Sequence, residues 1–365
     1  LQGLGYFKGV EVTAEPGSAQ DRVVLNVTLI EESTGEISFG GGYSTSEGVI
    51  ADITFKERNL MGRGQFLQMK VSGSLERLQF DINFTEPRFL DTNLAAGIDA
   101  FHKETDYSQS SGFKSRKTGA GLRLGIPLGE QTWLSTRYVL SREEVYEVED
   151  DASSFVKEQE GVELVSTVGW TLSYDTRNIK TTPTRGIYLE LAQDVAGLGG
   201  DVHYVRTVAE ARGYYPITEK VTFVARAIAG NVMDWGGVDL RASDLFYKGG
   251  ESVRGFDNSG FGPRDSQTGA ALGGTMFAAA TAEVRFPIPL VPEELGVSGA
   301  VFADAGTLFE VSDRIAELGK TGSLTVQDDT LIRSSVGGSL IWNSPMGPLR
   351  ADLAYVLSSA VYDDE

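Results

Sequence analysis

Apolar and polar residues alternate with a period of two along most of this chain, the spacing of β-strands that bury or expose one face. Leu78 to Thr85 is the clearest stretch, with Leu78, Phe80, Ile82 and Phe84 on one face and Gln79, Asp81, Asn83 and Thr85 on the other. Val162 to Tyr174 repeats it at greater length. Similar strands fit near 36–44, 48–58, 64–73, 94–104, 114–126, 131–146, 185–195, 202–214, 220–231, 273–286, 296–304, 331–342 and 348–357. The pattern predicts about fifteen strands, many near the length that crosses a membrane in a tilted barrel. Short links such as 59–63, 126–131, 216–220 and 343–347 alternate with long polar ones such as 141–160, 233–272 and 306–330. An outer-membrane barrel has that asymmetry of short turns and long outer loops. Trp133, Tyr174, Tyr214, Tyr215 and Trp342 fall near strand ends, where interfacial girdles lie. The expected fold class is all-β, a transmembrane antiparallel β-barrel. A soluble sandwich or propeller is the other arrangement of such strands, but no blade-length repeat is visible.

Composition removes several functions. The 365 residues carry 32 Lys+Arg and 51 Asp+Glu, a net charge of -19, which argues against a nucleic-acid partner. There is no cysteine, and the only histidines, His102 and His203, stand without ligand-spaced neighbours, so neither a zinc site nor a catalytic triad is expected. G-x-S-x-G and P-loop motifs are absent, and the acidic run 147–151 reads as a hydrated outer loop. An outer-membrane hydrolase is thereby disfavoured, and the expectation is no enzyme, no cofactor and no metal. No apolar run reaches the length of a spanning helix.

Residues 1 to about 30 differ in character, with an expected helix end at Gly3 to Phe7, a strand at Val10 to Thr13, a turn around Pro16 to Asp21 and a strand at Val23 to Ile30. They read as the tail of a small α/β module joined to the barrel through Glu31 to Gly35. The first residues have neither a basic n-region nor an apolar h-region, so the chain is expected to start inside a folded module.

The segment Tyr247 to Asp265, YKGGESVRGFDNSGFGPRD, is a glycine-punctuated loop with Arg254 at its centre. Its glycines allow it to fold back as a plug, and a lumenal arginine requires carboxylates nearby. Strand parity supplies them. With Met276, Ala278, Ala280, Ala282, Val284 and Phe286 outward, Glu283 and Arg285 point to the lumen. With Val297, Gly299, Val301 and Ala303 outward, Asp304 does too. From the residues alone, the simpler reading of Arg254 is a solvated loop charge above a wet, acid-lined channel.

KGGESVRGF followed by GPRD resembles the sixth extracellular loop of the BamA-type outer-membrane assembly proteins. SYDTRN with PTRG (Ser173 to Gly186), FADAG (Phe302 to Gly306) and WNSPMGPLR (Trp342 to Arg350) appear in that family's order. The resemblance implies a 16-stranded barrel over residues 35–365, its last strand missing from this chain, with loop 233–272 folded inward. Residues 1–34 become the C-terminal remnant of a periplasmic POTRA module. It implies a loop motif of Val253, Arg254, Gly255 and Phe256 with Arg254 docked on Glu283 and Asp304. The function implied is the central insertase of outer-membrane protein assembly in the bacterial cell outer membrane, its N-terminal module in the periplasm. The partners implied are unfolded outer-membrane β-barrel clients, accessory assembly lipoproteins and outer-membrane lipid.

A lateral seam is expected at the first strand, with Ile37, Phe39, Gly40, Gly41, Gly42 and Tyr43, because glycines weaken strand pairing and an unpaired edge accepts another strand. The same glycines also suit simple barrel curvature. Asp175, Arg177 and Arg185 are expected to clamp a turn. A related translocation or two-partner secretion barrel, or a passive pore, remains the alternative function.

Overall fold

Period-two alternation has one face to hide, and here the apolar face turns outward. In the computed structural model, which describes residues 7–19, 22–44, 48–150, 152–180, 182–289, 291–292, 295–344 and 347–364, Ile37, Phe39, Ile53, Phe80, Ile98, Leu122, Leu340 and Leu353 are all exposed. Exposed apolar side chains on every strand suit a lipid environment, and their polar neighbours line a lumen.

A hairpin of β1 (Phe7–Pro16) and β2 (Val23–Glu31) precedes the barrel as its own two-stranded sheet. The barrel strands are β3 (Gly35–Ser44), β4 (Gly48–Leu60), β5 (Gln65–Gly73), β6 (Arg77–Glu86), β7 (Ala95–Asp106), β8 (Lys114–Pro127) and β9 (Thr132–Tyr146). They continue with β10 (Gly161–Asp175), β11 (Gly186–Pro216) and β12 (Thr222–Asp234). After the short β13 (Arg264–Asp265) come β14 (Met276–Pro287), β15 (Val297–Phe309), the short β16 (Val326–Gln327), β17 (Arg333–Ser344) and β18 (Gly347–Ser358). Neighbours pair antiparallel in one sheet from β3 to β18, from which β13 and β16 stand apart as a two-stranded sheet of their own.

Strand β11, at 31 residues, is too long for a single crossing. Its first arm pairs with β10 through residues 188–200 and its second with β12 through residues 204–216. Gln193 donates to Thr207 across the two arms, and Gly197, Gly199 and Gly200 take positive φ at the bend. With both arms counted, fifteen strands form a nearly closed barrel. Where two strands at 185–195 and 202–214 are expected from the sequence, they join in one continuous hairpin.

Three short helices cap the outer end: α1 (Ser108–Ser111), α2 (Ser154–Lys157) and α3 (Asp313–Thr321). The long polar link 306–330 holds α3, which alternation alone does not disclose. Ser312 precedes a first turn begun by Asp313, and Gly322 closes the helix in the left-handed conformation at φ 78°. Phe155, Val156, Ile315 and Leu318 from these helices pack with Phe113, Val165, Phe246, Phe261 and Leu272 into a core above the lumen. Of the expected helix end at Gly3 to Phe7, residues 3–6 lie outside the described residues and Phe7 begins β1. Among the described residues, no helix is long and apolar enough to cross a membrane.

Candidate functional site

Strands β12 and β14 are joined by the long segment 235–275, which turns into the lumen instead of outward. Its path depends on glycine at two places. A Cβ on Gly249 would lie 1.8 Å from the Asp257 carbonyl oxygen, so only glycine allows the loop to cross itself there. Gly255 has φ +100°, and a Cβ on it would meet Val356 at 3.0 Å and Ala354 at 3.2 Å on β18. Gly255→Ala is therefore expected to lift the loop tip off β18. Faster maleimide labelling of a cysteine placed at Ser252 would report the lift; unchanged labelling would show that the loop rests there without needing glycine.

Arg254 meets the lumenal wall in four ways. Its Nε and Nη2 donate to the two oxygens of Asp304, at 2.6 and 2.8 Å, and its backbone N–H donates to the same carboxylate at 3.2 Å. Nη1 donates to Glu283 at 3.1 Å. Asp352 on β18 is 3.5 Å from Nη1. The guanidinium lies over the Phe302 ring, 3.4 Å from its centroid. Two-pronged donation to a carboxylate that is 1% exposed is a strong arrangement, and the stacked ring shields it from water. On either side of it, Val253 is buried and Phe256 packs edge-on against Phe261 at 5.4 Å.

Glu283 and Asp304 thus come together on one guanidinium, and Glu283 serves more than the loop. It also accepts from Arg285 at 2.7 Å and from Arg350 of β18 at 2.6 Å. Asp175 binds Arg177 at 2.8 and 2.9 Å, beside a turn in which the Asn178 amide donates to the Arg185 carbonyl. His102 bonds Thr118, and His203 stacks on Trp235 at 4.8 Å. Among the described residues no cluster of metal-ligating side chains occurs.

Two further anchors of the loop escape the sequence argument. Arg241 donates to Glu143 of β9 at 2.8 Å, to Glu163 of β10 at 2.6 Å and to its own turn partner Asp244 at 2.7 Å. On the other side, the segment after β18 folds back onto the loop. The Asp257 amide donates to the Asp364 carbonyl at 3.0 Å, the Asp364 amide to the Gly260 carbonyl at 2.8 Å, and Arg264 pairs with the Asp364 carboxylate at 2.7 Å. Arg333, at the head of β17, donates to Asp363 at 2.9 and 3.0 Å and to Asp329 at 2.6 Å, with Arg333 and Asp363 both 0% exposed. Tyr362 donates to Asp329 as well. Burial pushes the Asp329 carboxyl up, but bonds from Tyr362, the Leu331 amide and Arg333 outweigh it and hold the group below its ordinary value. Burial, then the bond to Asp329, pushes the Tyr362 phenol up to about 12. Parity along β18 carried the signal for Asp352: Leu349, Leu353, Tyr355 and Leu357 are outward, so Arg350 and Asp352 face in.

At the seam, β3 pairs with β4 from Gly35 to Ser44, and its other edge carries no ladder among the described residues. Ile37 and Phe39 are exposed on its outer face, and a Cβ on Gly42 would meet nothing within 4 Å. The Tyr43 side chain lies outside the described residues.

One known domain matches most of the chain. The description of the Omp85 superfamily domain fits residues 59–365. The chain belongs to the Omp85 superfamily. This Omp85 chain is similar to the outer membrane protein assembly factor BamA of Neorickettsia risticii, with 31% identity over 97% of this chain and 46% of that protein. The BamA of Nitratidesulfovibrio vulgaris is also 31% identical, over 94% of this chain and 42% of the relative. The chain therefore spans about half the length of the curated relatives it matches. In fold it resembles the crystal structure of BamA from Haemophilus ducreyi lacking POTRA domains 1-3, at a TM-score of 0.84 and 21% identity, covering 100% of this chain and 74% of that one.

Proposed function

We propose that this Omp85 barrel is the membrane part of an insertase that folds client β-barrels into the bacterial outer membrane through a lateral seam at β3. One observation carries the reading. Gly40, Gly41 and Gly42 lie in β3, which among the described residues pairs with β4 alone, so the backbone N–H and C=O groups of its other edge are held weakly and can pair an incoming strand. Such pairing needs no nucleophile or cofactor, because a client strand closes its own hydrogen bonds and exposes its apolar face to lipid. The relatives named as assembly factors support the reading.

Arg254, held by Glu283 and Asp304 and flanked by Val253, Gly255 and Phe256, fixes the loop against β14, β15 and β18, the strands that lead to the other edge of the sheet. Residues 1–34 belong to a periplasmic POTRA-type module. The hairpin β1–β2 exposes Val23, Leu25, Val27 and Leu29, and a lone hairpin is marginal in water, so further elements of that module cover it. Accessory lipoproteins dock on that side, and outer-membrane lipid surrounds the apolar belt.

The test is the rate at which an unfolded outer-membrane barrel inserts into liposomes carrying the full-length protein, with one cysteine in β3 and one in the opposite edge strand. Acceleration is expected in the reduced protein and its loss after oxidation, with recovery by reductant. Equal acceleration in both states would overturn the seam. A steady ion conductance without acceleration would favour the pore reading.

A further inference from the structure

The lumenal face of β18 carries Arg350, Asp352, Ala354 and Val356, because Leu349, Leu353, Tyr355 and Leu357 are exposed on the outer face. The inward loop meets that face at three heights. Lowest, Arg254 reaches Asp352 at 3.5 Å and shares the Glu283 carboxylate with Arg350. In the middle, Gly255 lies so close that a Cβ on it would stand 3.0 Å from Val356 and 3.2 Å from Ala354. Highest, residues 360–364 turn back over the loop, where a Cβ on Gly260 would stand 2.6 Å from the Asp364 carbonyl oxygen. The ladder holds β18 less completely. Among the described residues it pairs with β17 alone, and the register shifts at Ser334 and Ser335, which skips Leu357. A bulge of this kind interrupts pairing and bends the strand. It falls beside Val356, where the loop makes its closest approach to β18. At its other end the loop is tied through Arg241 to β9 and β10, so it spans the lumen from those strands to β18.

We infer that the inward loop is the brace of β18, and that loop and strand form one two-state element. With the loop docked, the strand is held toward the lumen at all three heights. With the loop withdrawn, β18 keeps only its interrupted ladder and swings outward. Coupling of this kind needs packed contacts with two discrete arrangements, which the loop supplies across the lumen. The inference rests on the proposed function only for its consequence, that loop withdrawal widens the seam; the movement itself is measured without any client.

The experiment places nitroxide pairs in the full-length protein in liposomes, which the absence of cysteine from this chain makes straightforward. Leu353 on β18 with Leu122 on β8 reports the strand, and Ile98 on β7 with Leu189 on β11 reports the rest of the wall; all four are exposed on the outer face. Replacing residues 250–262 by a glycine-serine linker of the same length removes the brace by construction. Asp304→Asn keeps every loop residue and serves if the linker variant does not fold. The β18 distance should broaden and shift by several ångström, up to about the 4.8 Å spacing of neighbouring strands, while the control pair stays fixed. An unchanged β18 distance in the folded linker variant, or in Asp304→Asn where only that variant folds, overturns the brace. Movement of both pairs together assigns the change to a general loosening of the barrel and overturns it as well. If β18 follows the loop while a disulfide across the seam leaves client insertion unaffected, the brace stands and the seam reading falls.

Discussion

Asp304→Asn is expected to release the inward loop from the barrel wall. That carboxylate accepts three bonds from Arg254 and none from any other side chain among the described residues, so its neutralisation leaves a half-buried guanidinium facing only Glu283 and the more distant Asp352. Removing one partner of a buried pair costs on the order of 3–5 kcal/mol. The low end applies here, because Arg254 remains 17% exposed and keeps Glu283. Two readouts check it. The chain has no cysteine, so a single one at Ser252 reports loop position through its labelling rate, and thermal unfolding in detergent reports stability. A lower midpoint with faster labelling is expected, and a swap of Arg254→Asp with Asp304→Arg should recover part of both. Neither readout moving would mean that the loop is held by its other contacts alone. The exchange of Arg254→Glu with Glu283→Arg should recover less, since Arg285 and Arg350 would then face a third arginine in place of their acceptor.

Arg333→Gln should have an effect of similar size at the other end of the loop. Arg333 and Asp363 are both fully buried, so the substitution strands Asp363 without a cation beside Phe261 and Tyr362. The expected cost is about 3–5 kcal/mol, lost with the docking of residues 360–364 on the loop. Protease access to that segment should increase while the ladders of β3 to β17 stay intact. Arg333→Met with Asp363→Leu removes both charges and should be milder than the single change; if it is as damaging, the pair is not what holds the segment. Acid should weaken the same contact. The Asp329 carboxyl is held below its ordinary value, so its contribution is complete above the unfolded value of about 3.9 and disappears as pH falls through the depressed one.

The barrel was legible because each strand spends its whole length between lipid and water, and period two survives there without interruption. β6 shows this well: Leu78, Phe80 and Ile82 are exposed on the outer face and alternate with Gln79, Asp81 and Asn83. The same parity brought Glu283 and Asp304 to the lumen. It was silent on Arg241, whose partners Glu143 and Glu163 lie 98 and 78 residues away on strands that no local pattern relates to the loop. It was silent too on α3, a nine-residue helix whose signals are its ends, Ser312 and Gly322, and not an alternation. The return of residues 360–364 onto the loop depends on Asp363 and Asp364, which in sequence are indistinguishable from a solvated acidic stretch.

Glu283 gathers donors from three separate pieces of chain: Arg254 from the loop, Arg285 from its own strand and Arg350 from β18. Such a junction is redundant in one direction only. Loss of any one arginine leaves the carboxylate two others, whereas loss of the carboxylate leaves three cations crowded at one point. A scan that replaces Arg285 and Arg350 singly will therefore assign each of them little, and their sum will fall short of what Glu283→Gln removes in one step.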